Sequence, residues 1–354
     1  MSLGRKNESR LELNSSLYLR RTLEQALSSG GRHASAVATE PPPEIPQPSA
    51  YPFDWYDDDK ELELLYNRAK REHWDPGSIP WESLKPADYD HDQKTAMAYW
   101  WAVLANFENN AAASFSKALV YLAENHYPNF TQKMTGTIVM DECRHDECCM
   151  RACNRLCPYF LKGWKPETRT DENALNNIKW VYYNGGRYWK AYVSSYSKYR
   201  FPLIFTSFMM GEACASKLFH EMKNKTDHPA FKEALSHMTM DESRHLTYTW
   251  RVLENAIPSL TEEEKELIPK RLRHGFVYLS MILFEPPQEF WQLPPGFMEI
   301  HRELEAKARE AGAGVLSLEE KRQAWRSTIM DVKRKLSKYD LPFPDLPEID
   351  VYGT

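Results

Sequence analysis

The 354-residue sequence predicts an all-α protein built on a four-helix bundle with additional flanking helices. Three observations predict this class. Apolar residues recur at helical spacing from about residue 57 onward, several periodic segments run to about 30 residues, and neither strand-like alternation nor a glycine-rich phosphate loop is found. Apolar residues make up 42% of the chain and charged residues 27%, a composition that excludes fully disordered, collagen-like and fibrous proteins.

The N-terminal segment is predicted to form a flexible arm outside the bundle. A short helix fits residues 16–27, but residues 28–50 are too rich in proline and glycine for regular structure. We therefore divide the chain into an arm with a linker, residues 1–50, and one domain, residues 51–354. The core bundle of that domain is predicted to cover about residues 91–257.

Proline, glycine and capping residues mark the ends of the predicted helices. Thr261 and Glu264 stand at the spacing of a capping box, in which each side chain accepts from the backbone N–H of the other. Pro158 and the Asn-Gly-Gly run at 184–186 predict further helix ends. The predicted helices cover residues 57–72, 91–125, 130–157, 186–222, 228–256, 262–284 and 317–338.

The pattern Asp-Glu-x-Arg-His occurs twice, at residues 141–145 and again at residues 241–245. In each copy the Glu and the His are three positions apart, so they share one face of a helix. A carboxylate oxygen and an imidazole nitrogen on that face can reach the same metal ion. A doubled Glu-x-x-His pair, with one more Glu from each of two other helices, is typical of di-iron carboxylate bundles.

Each copy of the pattern needs a partner carboxylate on the preceding antiparallel helix. Glu108 stands roughly 30 residues before Glu142, a spacing that two helix halves and a turn require. Glu212 stands at a similar distance before Glu242. Both upstream carboxylates lie on apolar stripes that are predicted to face the core. Since a lone buried carboxylate is unfavourable, two cations between the four would explain them.

A buried ion-pair network is the alternative explanation, because Arg144 and Arg244 could neutralise the acids beside them. The doubling of the pattern, each copy with its own upstream Glu, favours the metal site. Carboxylate-rich donors with one nitrogen per ion suit iron or manganese better than structural zinc. The chemistry indicated is reductive activation of O2, with the metals performing the difficult step. The candidate ligands are Glu108, Glu142, His145, Glu212, Glu242 and His245.

At these residues the sequence resembles the ferritin-like di-iron proteins, over about residues 90–257. The resemblance extends to their oxygenase branch, which includes bacterial multicomponent monooxygenases, soluble acyl-carrier desaturases, the ribonucleotide reductase small subunit and arylamine N-oxygenases. It implies two iron ions, or iron with manganese, and O2 as co-substrate. By this resemblance one ion is held by Glu108, Glu142 and His145. The other ion is held by Glu212, Glu242 and His245.

The resemblance also implies roles for residues beside the ligands. Asp141 and Asp241 match positions that hold the ligand histidines in place. Their ion-pair partners would be Arg144 and Arg244. Ser216, one helical turn after the second upstream Glu, matches a Thr or Ser that many of these oxygenases carry near the O2 site. A serine that only packs between helices explains Ser216 equally well.

Three further positions near the patterns are interpreted as follows. Residues 74–81 resemble the entry segment of several single-chain di-iron oxygenases, including N-oxygenases. His73, just before that segment, is predicted to be a surface or packing residue. N-oxygenases of this fold carry an additional His where this sequence has Met238, and we interpret the neighbouring His237 as structural.

The function implied is an O2-activating di-iron monooxygenase that hydroxylates or N-oxygenates a small organic substrate. No flavin, nicotinamide or iron–sulfur motif is visible, so a separate reductase is expected to donate the electrons. One alternative is a soluble desaturase that acts on a carrier-bound acyl chain. Another, of a different class, is an iron-storage or structural bundle. A homodimer is left open.

Charge, hydropathy and cysteine usage bound the setting of this function. The net charge of −5 argues against a dedicated nucleic-acid binder. No apolar stretch is long enough to span a bilayer, so no membrane partner is expected. Five of the six cysteines fall between Cys143 and Cys157, inside one helical pattern, which indicates a reducing cytoplasm and not a disulfide framework.

Overall fold

The computed structural model describes residues 59–158, 160, 163–193, 198–283 and 290–353. Within these ranges the chain forms helices, short 3-10 turns and one isolated β-bridge, which confirms the all-α class. The predicted arm, residues 1–50, lies outside the described residues and stays a prediction. The described helices are α1 (Lys60–Arg71), α2 (His91–Glu124), α3 (Asn129–Leu156), α4 (Arg169–Val193), α5 (Phe201–Lys225), α6 (Pro229–Ala256), α7 (Glu262–Leu283), α8 (Phe297–Glu310) and α9 (Leu318–Ser337).

Four of these helices form the central bundle. Helix α2 packs on α3 and α5 packs on α6, and the two pairs meet through α3 with α6 and α2 with α5. Helices α4 and α8 cover α2, α7 and α9 cover α5, and α1 contacts α3 and α6. The cover is needed because residues 95–108 of α2 are buried without interruption, so apolar surface faces every side of that helix. Among the described helices, none combines the length and apolar composition needed to cross a bilayer.

Local chemistry fixes several helix ends where the sequence predicts them. The backbone N–H of Glu264 donates to the Thr261 hydroxyl, and the Thr261 N–H donates to the Glu264 carboxylate, so the predicted capping box forms. Helix α6 begins with Pro229, whose missing N–H is harmless in a first turn. The bounds of α2, α3, α6, α7 and α9 agree with the predicted helices to within one residue at each end.

The prediction of a single helix over residues 186–222 is wrong. The chain forms two helices there: α4 begins at Arg169 and passes through residues 184–186 without a break, and α5 begins only at Phe201. Helix α8 was not among the helices predicted from the sequence. Its short amphipathic segment was not recognised between the better marked helices.

Packing against α2 explains why residues 184–186 continue a helix instead of ending one. The Asn184 side chain donates to the Trp180 carbonyl one turn back, which keeps it within the helix. A Cβ at Gly185 would stand 2.8 Å from the Asn106 amide nitrogen of α2. Glycine therefore lets the helices approach closely here, whereas a larger residue would displace the Asn106 and Asn110 side chains.

The bundle core consists of two apolar clusters with a polar layer between them. On α2, Phe107 belongs to one cluster and Phe115 to the other; on α3, Ile138 and Cys148 divide in the same way. The candidate metal ligands of both helices lie in the stretches between these residues. Apolar side chains therefore separate the layer from solvent along the bundle axis.

Candidate metal centre

The six predicted ligands converge from four helices into the polar layer. Their side chains come from α2 (Glu108), α3 (Glu142, His145), α5 (Glu212) and α6 (Glu242, His245). All six are buried: the two upstream glutamates are 6% exposed, the other two glutamates 1%, and the histidines 0%. The bundle therefore removes four carboxylates from water at one place.

The six side chains form two groups that share two carboxylates. One group is Glu108, Glu142, His145 and Glu242; the other is Glu142, Glu212, Glu242 and His245. In each group, one ligand atom per residue lies within 4.8 Å of the others, and the two histidine ring centroids are 6.0 Å apart. Such a buried carboxylate–histidine site is suited to a dimetal centre.

The two histidines turn the same ring nitrogen toward the carboxylates. His145 Nδ1 lies 3.2 Å from Glu108 Oε2 and 3.3 Å from Glu242 Oε1. His245 Nδ1 lies 3.3 Å from Glu212 Oε2. The Nδ1 atoms are therefore the ones positioned to bind cations, a choice of ring nitrogen that the i, i+3 spacing alone does not specify.

The aspartates of the two patterns are crossed. His145 Nε2 lies 3.2 Å from Asp241 Oδ2, and His245 Nε2 lies 3.0 Å from Asp141 Oδ2. Each aspartate therefore contacts the histidine of the other pattern. An Nε2 proton donated to the aspartate leaves the Nδ1 lone pair facing the carboxylates.

Arg144 and Arg244 pair with the two aspartates and not with the four glutamates of the polar layer. Arg144 donates to Asp141, and Arg244 donates to Asp241 at 2.6 Å and to Asp141 at 2.8 Å. Within the described residues, neither arginine forms an ion pair with any of the four glutamates.

The donor set fits a pair of cations better than a closed ion-pair network. With both arginines bound to aspartates, the two histidines are the only basic side chains in the described part of the chain that pair with the four buried glutamates. Glu242 Oε2 is buried and has no hydrogen-bond partner in the described part of the chain. Divalent or trivalent ions would supply the missing positive charge and the missing partner.

Burial and mutual repulsion shift the acidities of these groups. Burial, reinforced by the charge of Glu142, raises the pKa of Glu108 well above its usual value. Burial and the charge of Glu242 raise the pKa of Glu212 likewise. Although burial alone would raise it, the two histidines beside the carboxylate hold the pKa of Glu242 below its usual range. Protons held by this layer must leave when a cation binds.

Residues 72–74, which follow α1, brace the aspartates and arginines from outside the bundle. Glu72 accepts from Arg244 at 3.0 Å, and Arg144 donates to His73 Nδ1 at 2.9 Å. The Trp indole donates to Asp241 at 2.8 Å. The sequence reading missed this bracing. Its one signal was the resemblance of residues 74–81 to the entry segment of several single-chain di-iron oxygenases.

Two other histidines lie outside the metal-ligand groups. His73 contacts an arginine, in keeping with its prediction as a packing residue. His237 stacks on Trp74 with ring centroids 4.8 Å apart. The structural interpretation of His237 agrees with this placement.

A cavity of about 70 Å³ borders the four glutamates. Aromatic side chains, among them Phe107, Phe208 and Tyr278, form much of its remaining wall. Ser114 and Ser207 also line it, although no sequence pattern marks them, and the Ser207 hydroxyl donates to the Arg271 carbonyl at 2.7 Å. A largely apolar chamber beside the carboxylates can admit O2 and part of a small organic molecule.

Ser216 is not brought to this cavity. Its hydroxyl lies 3.4 Å from that of Ser243, and the described lining of the cavity does not include it. The neighbouring Ala215 faces the cavity instead. Ser216 therefore has the placement of a serine between two helices.

Comparison with solved structures reveals the same arrangement of helices. A variant of an R2-like ligand-binding oxidase with an anaerobically reconstituted Mn/Fe cofactor superposes with a TM-score of 0.58 at 14% identity, covering 80% of this chain and 94% of that chain. A second anaerobically reconstituted variant gives 0.56 at 13%, covering 80% and 94%. An aerobically reconstituted one gives 0.51 at 15%, covering 79% and 97%. The fold is ferritin-like.

This ferritin-like fold confirms the architecture expected from the sequence. The likeness extends over most of both chains, well beyond the four helices that carry the patterns. No protein-family model matches the chain, and no curated protein matches it. At 13–15% identity the ferritin-like relatives share the fold with this chain, and the reaction has to be argued from the site.

Proposed function

We propose that the protein is an O2-activating di-metal monooxygenase that hydroxylates or N-oxygenates a small organic molecule. The observation that carries this proposal is the pair of buried carboxylate–histidine groups that share Glu142 and Glu242 beside a largely apolar cavity. The structural neighbours support the coarser class, because they are oxidases described with Mn/Fe cofactors. Two iron ions, or manganese with iron, are the cofactor proposed.

Six side chains are assigned to the ions, with the shared carboxylates able to reach both. The first ion is assigned to Glu108, Glu142 and His145. The second is assigned to Glu212, Glu242 and His245. When bound, the metal pair supplies electrons for the reduction of O2. Asp141 and Asp241 are assigned the task of holding the imidazoles with Nδ1 toward the metals.

The protein itself supplies position, charge balance and exclusion of water. The two arginines neutralise the aspartates, so the positive charge of the metals is left to balance the glutamates. On one side of the site, the ring centroids of Phe115 and Phe208 lie 4.1 Å apart in a stacked pair. On the other side, Phe107 forms part of the cavity wall. A site closed by such rings keeps a strong oxidant away from bulk water and wasteful reduction.

Electrons, substrate and cellular setting complete the proposal. A separate reductase donates the electrons, since the sequence carries no motif for a second redox cofactor. The proposed substrate is a free small molecule. The alternative substrate, that of a desaturase, is a carrier-bound acyl chain. A cytoplasmic location and a homodimer are proposed from the sequence alone.

Metal analysis combined with rapid mixing tests the proposed function. The full chain is expected to bind two ions of iron, or of manganese and iron, and the reduced protein is expected to consume O2 with a transient visible absorption. Glu142→Ala should show neither. Uptake far above two ions per chain would favour the storage alternative, and a chain that binds no metal would refute the proposal.

The product identifies the reaction among the candidates. A mass gain of one oxygen atom is expected for hydroxylation or N-oxygenation. A loss of two hydrogens from an acyl chain presented on a carrier protein would replace the monooxygenase by the desaturase.

A further inference from the structure

A second pocket, of about 330 Å³, opens beside the metal-site cavity; we call it the outer pocket. Its described lining includes Arg187, Tyr188, Lys190, His274, Phe290 and Trp291. Tyr188 also lines the cavity beside the glutamates, which makes its ring a partition between the two spaces. A molecule seated in the outer pocket is therefore one aromatic ring away from the metal-site cavity.

The partition is a pair of stacked tyrosines. The rings of Tyr188 and Tyr278 lie 4.2 Å apart at an interplanar angle of 25°. The Tyr188 hydroxyl donates to the His274 carbonyl at 3.1 Å, and that of Tyr278 donates to the Phe107 carbonyl at 3.3 Å. The ring faces give this wall an apolar surface, against which an apolar group can lie.

The two spaces have opposite charge. Arg187 and Lys190 line the outer pocket, and its described lining contains no Asp or Glu. Burial, followed by the charges of Arg271 and Lys270, lowers the pKa of His274 to about 4, so His274 itself is neutral at pH 7. The inner cavity is lined by four glutamates and, in the described residues, by no Lys, Arg or His. An anionic group is therefore attracted to the outer pocket.

The guanidinium of the outer pocket is held in place by a buried amide. Arg187 donates to Asn184 Oδ1 at 3.2 Å and lies 5.7 Å from the centroid of the Tyr183 ring. Asn184 is 1% exposed and also accepts from the backbone N–H of Gln292 at 2.9 Å. The described residues offer neither Arg187 nor Lys190 an acidic partner. A positioned guanidinium that has no carboxylate partner among the described residues is suited to an external oxyanion.

We infer that the outer pocket binds the carboxylate of an amphipathic organic acid through Arg187 and Lys190, and that the apolar body of this substrate turns inward past Tyr188. The substrate class is thus a small acid with an aromatic or aliphatic body, and the atom oxidised lies away from the carboxylate. The inward step rests on the proposed function, whereas binding of the acid to the outer pocket does not require the metals.

Calorimetric titration of the full chain with 4-phenylbutyrate and with its neutral amide tests the anion site. The acid is expected to bind at least tenfold more tightly than the amide. Combined Arg187→Gln and Lys190→Gln substitutions should remove this preference. Lys179→Gln, on an exposed residue of the same helix outside the pocket, should retain it. Equal affinities of acid and amide for the wild type, or a preference that survives the double substitution, would overturn the inference.

Cobalt(II)-loaded protein tests the inward turn past Tyr188. Addition of 4-phenylbutyrate is expected to change the visible absorption of the bound cobalt, and benzoate, which is too short to pass the ring, should leave it unchanged. A cobalt spectrum that neither acid changes would overturn the inward turn of the substrate body past Tyr188.

Metal content measured on the same samples separates the two proposals. A wild type with two bound ions but no preference for the acid refutes only the anion site. A wild type that prefers the acid but binds no metal refutes only the proposed function.

Discussion

At the scale of single residues, the site depends on which carboxylates stand between the two histidines. Glu142 and Glu242 belong to both groups, whereas Glu108 and Glu212 belong to one each. Under the proposed assignment, loss of a shared carboxylate would remove a donor from both ions. Loss of an unshared one removes a donor from a single ion, so the two kinds of substitution should differ in metal stoichiometry.

Glu142→Ala is expected to lower the metal content from two ions to well below one per chain. Glu108→Ala is expected to retain about one, because the other group keeps all its donors. The measurement is elemental analysis of purified protein, with Glu147→Ala as control on an exposed residue of the same helix. Full metal content in Glu142→Ala would contradict the assignment of a shared ligand.

The crossed aspartates predict which ion each one supports. Asp241→Asn, which alters the partner of His145, should weaken the ion held with Glu108 by roughly 10–100-fold. In a Glu212→Ala background, where that ion remains, a chelator competition titration is expected to show the full, roughly 10–100-fold loss of metal affinity. In a Glu108→Ala background the remaining ion should be spared. The reverse result would mean that each aspartate serves its own pattern.

At the scale of elements, the cavity lies where α5 and α7 come close together. Gly275 of α7 faces the Ser207 carbonyl of α5 so closely that a Cβ there would overlap the oxygen. Gly211 of α5 lines the same cavity, but a Cβ at that position would meet no atom within 4 Å. Only the first glycine is required for helix approach.

Gly275→Ala should therefore lower the free energy of unfolding by about 1–3 kcal/mol or more, as overpacking of a backbone contact does. Gly211→Ala should leave the stability unchanged or raise it by up to about 1 kcal/mol, because alanine favours the helix. Urea unfolding of the two variants measures the difference. Equal stabilities would show that α5 and α7 can separate without penalty.

At the scale of the whole molecule, metal binding and folding are coupled because the ligands come from four helices. Without cations, the folded chain holds four buried glutamates close together, and unfolding relieves this repulsion. With cations, only the folded chain brings the donors together. Metal should therefore act as a ligand that stabilises the fold.

Removal of metal by a chelator is expected to lower the free energy of unfolding by about 3 kcal/mol, the value for a ligand present at about 100 times its Kd. Urea unfolding with and without chelator measures the change. Glu142→Ala, already depleted of metal, should not respond. A wild type with the same midpoint under both conditions would rule out the coupling.

Acid is expected to destabilise the fold through His274. Its pKa is about 4 in the folded chain and near 6.5 in the unfolded one, so the unfolded chain takes up the proton first. The stability due to neutral His274 is therefore present above pH 6.5 and is lost as the pH falls toward 4. Between pH 7 and pH 5, wild type should lose about 2 kcal/mol more than His274→Gln in urea unfolding. Equal losses would argue against this depressed pKa.

Local sequence patterns were enough to predict the helical class and the six side chains that converge in the polar layer. Helical periodicity, a capping box such as that of Thr261 and Glu264, and a Glu-x-x-His spacing are properties of short stretches of chain. They hold whatever packs against those stretches. The doubled pattern then identified Glu108 and Glu212 as its partners, since antiparallel helices require a fixed distance along the chain.

Only the tertiary structure decided how these side chains combine. The crossing of Asp141 to His245, the sharing of Glu142 and the bracing by Trp74 join residues that are far apart in sequence, and no local spacing encodes them. Gly185 illustrates the same limit, because a glycine ends a helix or lets a neighbour approach according to what lies opposite. Local patterns fix which groups are available, and packing of distant segments fixes which of them meet.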